Sequence, residues 1–198
     1  ENPGHNDTIN MALVGCGARG GNQVMPSFME LPGVRMTAVC DVNSNHLAKH
    51  REKAGGDSIA AYHDYRKLLE DKSIDAVIVA TQAFQRVLPC IHACQSGKDV
   101  YAEKPLTLYV HEGRVLVDAV RKHERIRQVG TQQRSMEMNR LACEFVRTGG
   151  LGKIKEVRAV NYSGPAALPK EPFPEEPVPA GLDWDKWLNQ AAWRAYNH

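Results

Sequence analysis

Apolar and polar residues follow two different periods along most of the chain. Short apolar runs predict strands over residues 9–14, 34–40, 59–62, 75–81, 99–102 and 126–130. Helical periodicity and capping residues predict helices between them, over residues 21–31, 44–54, 65–70, 86–96, 109–123 and 138–148. Strands and helices that alternate this regularly predict an α/β fold, a doubly wound parallel sheet with helices on both faces.

The pattern changes after residue 150. Residues 154–163 alternate in polarity and predict a strand of a different, half-exposed sheet, whereas residues 164–181 hold six prolines and predict an extended arm. Residues 182–198 carry three tryptophans, an aromatic density that needs a surface to cover. We therefore divide the chain into a mobile lead-in (1–8), one complete domain (9–150) and the incomplete start of a second α+β domain (151–198).

A glycine-rich turn follows the first predicted strand. Gly15, Gly17 and Gly20 have the spacing G-x-G-x-x-G. Such a motif needs one glycine for the tight turn, one for close approach to a pyrophosphate and one for packing of the next helix on its strand. The anion would lie on the exposed N–H groups of that helix. We therefore predict a dinucleotide-binding loop, with Ala18 and Arg19 as further cofactor contacts.

An acidic residue, Asp41, ends the second predicted strand, about 20 residues beyond Gly20. A carboxylate at this position accepts the hydroxyls of the adenosine ribose in dinucleotide-binding folds. The alternative is that Asp41 is a turn or capping residue after a strand. If Asp41 faces the ribose, we expect NAD to bind more tightly than NADP, because no Arg or Lys occupies residues 42–44 to offset a 2′-phosphate.

Charge and composition indicate neither a nucleic-acid partner nor a membrane. The 198 residues include 25 basic and 23 acidic side chains that are interspersed, and the apolar runs are too short to span a bilayer. The chain begins with Glu1 and not with Met. A leader could therefore have been removed, and we leave the compartment open between cytoplasm and periplasm.

Five cysteines form an odd set: Cys16, Cys40, Cys90, Cys94 and Cys143. The only close pair, Cys90 and Cys94, has the i,i+4 spacing of a helix, and zinc would need more ligands at suitable spacing. We therefore expect buried thiols and no metal site. The eight histidines are scattered, and none is assigned a catalytic role.

Two longer motifs carry a family resemblance. Residues 97–107 read GKDVYAEKPLT and residues 129–135 read VGTQQRS. Together with the glycine loop and Asp41, they resemble the Gfo/Idh/MocA family of NAD(P)-dependent oxidoreductases. The resemblance covers the chain from about Asn10 to its end, including residues 182–185, which look like the start of the family's second domain. It implies a Rossmann-type cofactor domain that binds NAD.

The resemblance also implies roles for individual residues. Lys104 would contact the substrate and help to move the proton of the reacting hydroxyl, while Glu103 and Pro105 would shape the pocket of the nicotinamide ribose. The alternative for Lys104 is a surface ammonium in a turn. The Lys104–Pro105 bond is a candidate for the cis form, which costs an X-Pro bond only about 0.5–1 kcal/mol.

Three more residues belong to this predicted site. Thr81 and Gln132 would contact the cofactor at the ends of their strands. Arg134 could hold a carboxylate, a phosphate or a sugar hydroxyl of the substrate. Its alternative is a solvated arginine at a helix start.

The chain departs from the family in two respects. After Thr81 the family usually shows Pro, then Asn or Asp, and His, whereas residues 82–86 read QAFQR. The family's catalytic Asp and His lie beyond the point where this chain ends. We therefore expect the chain to bind the dinucleotide without turnover on its own, and to self-associate through the incomplete second sheet with its tryptophans exposed.

Three functional hypotheses follow from the resemblance. The first is an NAD-dependent oxidoreductase that acts on a secondary hydroxyl of a sugar, polyol or related carbohydrate. The second is a glycoside hydrolase that uses tightly held NAD for transient oxidation. The third is a non-catalytic NAD-binding subunit. The expected partners are a small carbohydrate and, through the sheet of the second domain, further copies of the chain.

Overall fold

Six strands form one fully parallel sheet in a computed structural model that describes residues 8–160 and 173–197. The sheet order is β3-β2-β1-β4-β5-β6. The strands are β1 (Ile9–Val14), β2 (Val34–Cys40), β3 (Ala60–Tyr62), β4 (Ala76–Val79), β5 (Asp99–Ala102) and β6 (Arg127–Val129). This order reverses between β1 and β4, which places a ligand crevice at the carboxyl ends of these two strands. The predicted doubly wound α/β fold is confirmed.

Helices cover both faces of the sheet. The helices that pack on the sheet are α1 (Met25–Met29), α2 (Ser44–Ala54), α3 (Tyr65–Glu70), α4 (Val87–Gln95) and α5 (Val110–Lys122). Two further helices, α6 (Glu137–Arg147), which has no buried residue, and α7 (Trp184–Leu188), contribute no residue to the two cores. One apolar core lies between the sheet and α1–α2, the other between the sheet and α3–α5. Successive residues of β4 alternate between them, since Val77 and Val79 enter the second core and Ile78 the first.

The helix after the glycine loop differs in detail from the predicted span 21–31. A π-helical turn, Gly20–Val24, precedes α1, and Pro26 lies in the first turn of α1. Proline has no N–H to donate and its ring crowds the carbonyl four residues earlier. A wider turn upstream of the proline is one way in which a helix accommodates both effects.

The prediction of a strand over residues 154–163 is wrong for residues 154–160, which form no strand. A strand needs a neighbour to complete its hydrogen bonds, and Val157 and Val160 are 82% and 80% exposed without one. Residues 161–163, most of the proline-rich arm and residues 1–7 of the lead-in lie outside the described residues. The division into domains and the contact between copies stay predictions.

Two of the three tryptophans near the end of the chain are half-buried. Trp184 and Trp187 lie on α7, are half-buried and stack on each other with ring centroids 4.6 Å apart, whereas Trp193 is 73% exposed. The expectation that all three would be exposed is therefore wrong for two of them. Leu182 pairs with Asn43 in an antiparallel bridge, which brings this segment back to the sheet.

Four of the five cysteines are buried thiols, as predicted, but Cys143 on α6 is exposed. Burial raises the pKa of Cys90 to about 12 and raises the pKa of Cys16 and Cys40 further. Among the described residues, no helix has the length and apolarity to cross a membrane. No His, Cys, Asp and Glu side chains within residues 8–160 and 173–197 form a group that could hold a metal ion.

Two glycines of the loop give opposite predictions for stability. A Cβ on Gly20 would lie 2.0 Å from the carbonyl oxygen of Gly15, whereas a Cβ on Gly17 would meet no atom within 4 Å. We expect Gly20→Ala to lower the free energy of unfolding by about 3 kcal/mol through overpacking, and Gly17→Ala to leave it nearly unchanged. Urea unfolding of both variants measures this; equal stabilities would contradict the packing role of Gly20.

Candidate functional site

The glycine loop turns tightly against the end of β4. Gly15 has a φ of +96°, and a Cβ there would lie 2.8 Å from the carbonyl carbon of Ala80. Gly17, in contrast, lines a cavity and leaves open space where a side chain would be. The loop therefore has the close packing that a strand-to-helix turn needs and the clearance that a pyrophosphate needs.

Asp41 ties the second strand to this loop. One oxygen of its carboxylate accepts the backbone N–H of Cys16 at 2.6 Å, and the other accepts the N–H of Asn43 at 2.8 Å. Asp41 therefore acts as a turn residue after its strand, which is the alternative that the sequence left open. Each carboxylate oxygen can accept a further hydrogen bond, and Asp41 lines the cavity beside Gly17, so ribose hydroxyls could also be bound there.

This first cavity has a volume of about 460 Å³ and brings together four of the predicted site residues: Gly15, Gly17, Asp41 and Thr81. The hydroxyl oxygen of Thr81 is buried and has no hydrogen-bond partner among the described residues. A buried hydroxyl without a partner is costly, and a bound ligand would relieve that cost. These features fit the dinucleotide that the sequence predicts.

Residues near the end of the chain form part of the lining of the first cavity. Trp184, Lys186 and Tyr196 line it together with the loop residues. The side chain of Gln85 donates to the carbonyl of Trp187, whose ring packs edge-on against Phe84 at 5.4 Å between centroids. Sequence reasoning missed these lining residues because most of the chain separates them from the glycine loop.

Two cations that line this cavity, Arg66 and Lys186, are already paired. Arg66 contacts Asp64 at 2.7 Å, and Lys186 pairs with Asp183 next to the N-terminus of α7. Hydrogen bonds from Arg66 hold the pKa of Asp64 below its ordinary value, and those from Lys186 do the same for Asp183. Among residues 8–160 and 173–197, Asp41 has no Arg or Lys partner, and the ring of His46 approaches it at 4.0 Å.

Arg19 and Glu103 meet each other, and neither lines the first cavity. The guanidinium of Arg19 donates to the Glu103 carboxylate at 2.8 Å, and the other oxygen of that carboxylate accepts the N–H of Lys104 at 3.0 Å. Glu103 is 1% exposed. This ion pair joins the glycine loop to the end of β5. Direct contacts of Arg19, Ala18 and Glu103 with a cofactor stay predictions.

Lys104, Gln132 and Arg134 line a second, open cavity of about 970 Å³. Lys104 follows β5 and Gln132 follows β6, so both lie at the carboxyl edge that also carries Gly15. The Lys104–Pro105 peptide bond is cis, as predicted. The predicted site residues therefore share one edge of the sheet but divide between two cavities.

Comparison with protein families assigns most of the chain to a known family. Residues 9–131 match the model of the Gfo/Idh/MocA oxidoreductase family, described by its NAD-binding Rossmann fold. The chain belongs to the Gfo/Idh/MocA family. The matched region holds the glycine loop, Asp41, Thr81 and Lys104, which confirms the resemblance stated from the motifs.

Curated relatives include two kinds of enzyme. An inositol 2-dehydrogenase/D-chiro-inositol 3-dehydrogenase of Shouchella clausii is 30% identical over 128 residues, which are 64% of this chain and 37% of that protein. A glycosyl hydrolase family 109 protein of Saccharopolyspora erythraea is 33% identical over 126 residues, which are 60% of this chain and 27% of that protein. The chain thus spans well under half the length of these relatives.

Among solved structures, the myo-inositol 2-dehydrogenase of Lactobacillus plantarum superposes with a TM-score of 0.67 at 26% identity. The alignment covers 74% of this chain and 43% of that one. The shared part is therefore larger than the matched family region, but it again leaves more than half of the relative without a counterpart.

Arg86 is a buried residue beside the candidate site that sequence reasoning missed. It lies in the segment that departs from the Gfo/Idh/MocA pattern, is 5% exposed, and donates to the carbonyl oxygens of Thr81 and Pro105. Burial lowers the pKa of its guanidinium. Arg86 therefore connects the loop after β4 to the Lys104–Pro105 turn. The sequence indicated this residue only in that residues 82–86 depart from the family pattern and end in an arginine.

We expect Arg86→Met to loosen that turn. Removing both donors leaves the Pro105 carbonyl without its partner, a loss of about 1 kcal/mol or more. Amide hydrogen exchange over residues 104–109 should accelerate by roughly tenfold, while exchange in β1 stays unchanged, because opening is local. The matched control is Arg147→Met at the exposed end of α6. Unchanged exchange over 104–109 in Arg86→Met would show that the connection is unimportant.

Proposed function

We propose that the protein binds NAD along the carboxyl edge of its sheet and acts as an oxidoreductase on a secondary hydroxyl of a sugar or polyol. The observation that carries the proposal is the glycine loop, with Gly17 open to the first cavity and Asp41 beside it. The inositol dehydrogenases among its relatives support the substrate class. Because the chain spans only part of those proteins, the activity of the whole protein belongs to this proposal.

The predicted site residues would bind the cofactor in the first cavity and contact the substrate in the second. The backbone around Gly15 and Gly17 would hold the pyrophosphate, Asp41 the adenosine ribose and Thr81 the cofactor near the end of β4. Bound NAD would accept a hydride from the carbon that carries the hydroxyl. Lys104 would contact that hydroxyl and help to move its proton. Glu103 would set the position of Lys104 through its hydrogen bond to the Lys104 N–H.

A second candidate function is a glycoside hydrolase that oxidises its sugar transiently. The relationship to a glycosyl hydrolase family 109 protein, at 33% identity, favours keeping it. The two functions share the cofactor loop and differ in their net reaction. Accumulation of NADH with a free sugar indicates the dehydrogenase, whereas release of an aglycone without net NADH indicates the hydrolase. NAD binding without either product indicates a non-catalytic subunit.

The first prediction for this function concerns cofactor choice. A 2′-phosphate beside Asp41 would place two like charges ~4 Å apart, which repel by roughly 4 kcal/mol at an effective dielectric near 20. Because Arg66 and Lys186 are already paired, we expect NAD to bind at least tenfold more tightly than NADP. Asp41→Ala should narrow that difference, and Asp57→Ala, at a fully exposed position, should not. Titration calorimetry measures all six affinities; equal affinities of the unmodified protein for NAD and NADP would exclude Asp41 as a ribose ligand.

The second prediction concerns Lys104. In the whole protein, Lys104→Met should lower the rate of NADH formation by at least about 100-fold, the usual contribution of a group that moves a proton. NAD affinity should change little, because Lys104 lies in the second cavity and not in the first. Lys122→Met, at the exposed end of α5, is the matched control. An unimpaired rate in Lys104→Met would show that another group moves the proton.

A further inference from the structure

The second cavity is lined by three cations and no anion. Lys104, Arg134 and Arg140 face it, and the remaining lining residues are uncharged: Thr131, Gln132, Gln133, Asn139, Ala142 and Cys143. All three cationic residues are exposed, so solvent screens their mutual repulsion, and an anion placed between them would be attracted by all three. This composition therefore differs from that of the first cavity, whose lining includes Asp41, Asp64 and Asp185.

The three cations are poorly neutralised by the protein. Within residues 8–160 and 173–197, the side chains of Lys104 and Arg134 form no ion pair, and Arg140 has only Glu144, at 3.8 Å on the exposed face of the next helical turn. The cations of the first cavity, Arg66 and Lys186, are each paired with an aspartate. The second cavity thus retains positive charge that the described protein does not offset.

The arginines are held in place by local structure. Arg134 lies in a one-turn 3₁₀ helix, Gln132–Ser135, and Arg140 lies on α6. The side-chain amide of Asn139 donates to the carbonyl of Gln133 at 2.9 Å, which ties the short turn to the helix. Both guanidinium groups therefore stand on elements that are joined next to Lys104.

We propose that the second cavity binds a carboxylate or phosphate group of the sugar substrate through Arg134 and Arg140. A guanidinium forms paired hydrogen bonds to either oxyanion, a geometry that a neutral polyol does not match. The inference rests on the proposed function, because Lys104 must lie beside the reacting hydroxyl of the same molecule. It makes an acidic sugar or a sugar phosphate the substrate class, in place of a neutral inositol.

The proposal is tested by measuring the affinity of the protein for three sugars and one polyol, with and without saturating NAD. The probes are glucuronate, glucose 6-phosphate, glucose and myo-inositol, with inorganic phosphate as a fifth probe. We expect at least one of the two anionic sugars to bind tenfold or more tightly than both neutral ones and than phosphate alone. Glucuronate and glucose 6-phosphate distinguish the two kinds of anion. Raising the salt concentration should weaken the anionic ligand selectively.

Arg134→Gln should reduce the affinity for the preferred anionic sugar at least tenfold and leave that for neutral sugars unchanged. Arg147→Gln, on the same helix but outside the cavity, is the matched control. The proposal is overturned if neither anionic sugar binds more tightly than the neutral ones, if phosphate alone binds as tightly, or if both variants lose equal affinity. Absent NAD binding would instead count against the proposed function, since the sugars are also measured without NAD.

Discussion

The close approach of the glycine loop to the end of β4 determines the geometry of this edge of the sheet. Gly15 turns against the Ala80 carbonyl, and Gly20 packs on the carbonyl of Gly15, so neither position has room for a side chain. Because β1 and β4 are buried on both faces, their ends cannot shift to admit one. The hydrogen bond from the Cys16 N–H to Asp41 then fixes the loop to β2 as well.

Two buried charged side chains extend this geometry to the later strands. The Glu103 carboxylate pairs with Arg19 and accepts the N–H of Lys104, and Arg86 joins the loop after β4 to the Lys104–Pro105 turn. A Cβ on Gly130 would lie 2.9 Å from the Glu103 carboxylate, so β6 also leaves space for this pair. Charged groups are rarely buried without partners, and here their partners are the loops that carry the proposed site.

The two cavities at this edge have opposite electrostatic character. Ion pairs neutralise Arg66 and Lys186 in the first cavity, whereas Asp41 and Asp185 have no ion pair with an Arg or Lys of the described residues, which suits neutral ribose hydroxyls. The second cavity keeps the positive charges of Lys104 and Arg134. One sheet edge therefore carries two cavities of different charge.

The sequence by itself determined the α/β fold, the order of strands and helices and the residues at the strand ends, because period and turn chemistry act over short distances along the chain. Only the tertiary structure decided which of those residues meet. It paired Arg19 with Glu103, divided Asp41 and Lys104 between two cavities, and placed Trp184 over the first one. It also left residues 154–160 without a strand partner. Contacts between distant segments depend on how the helices pack on the sheet, and no local pattern encodes that packing.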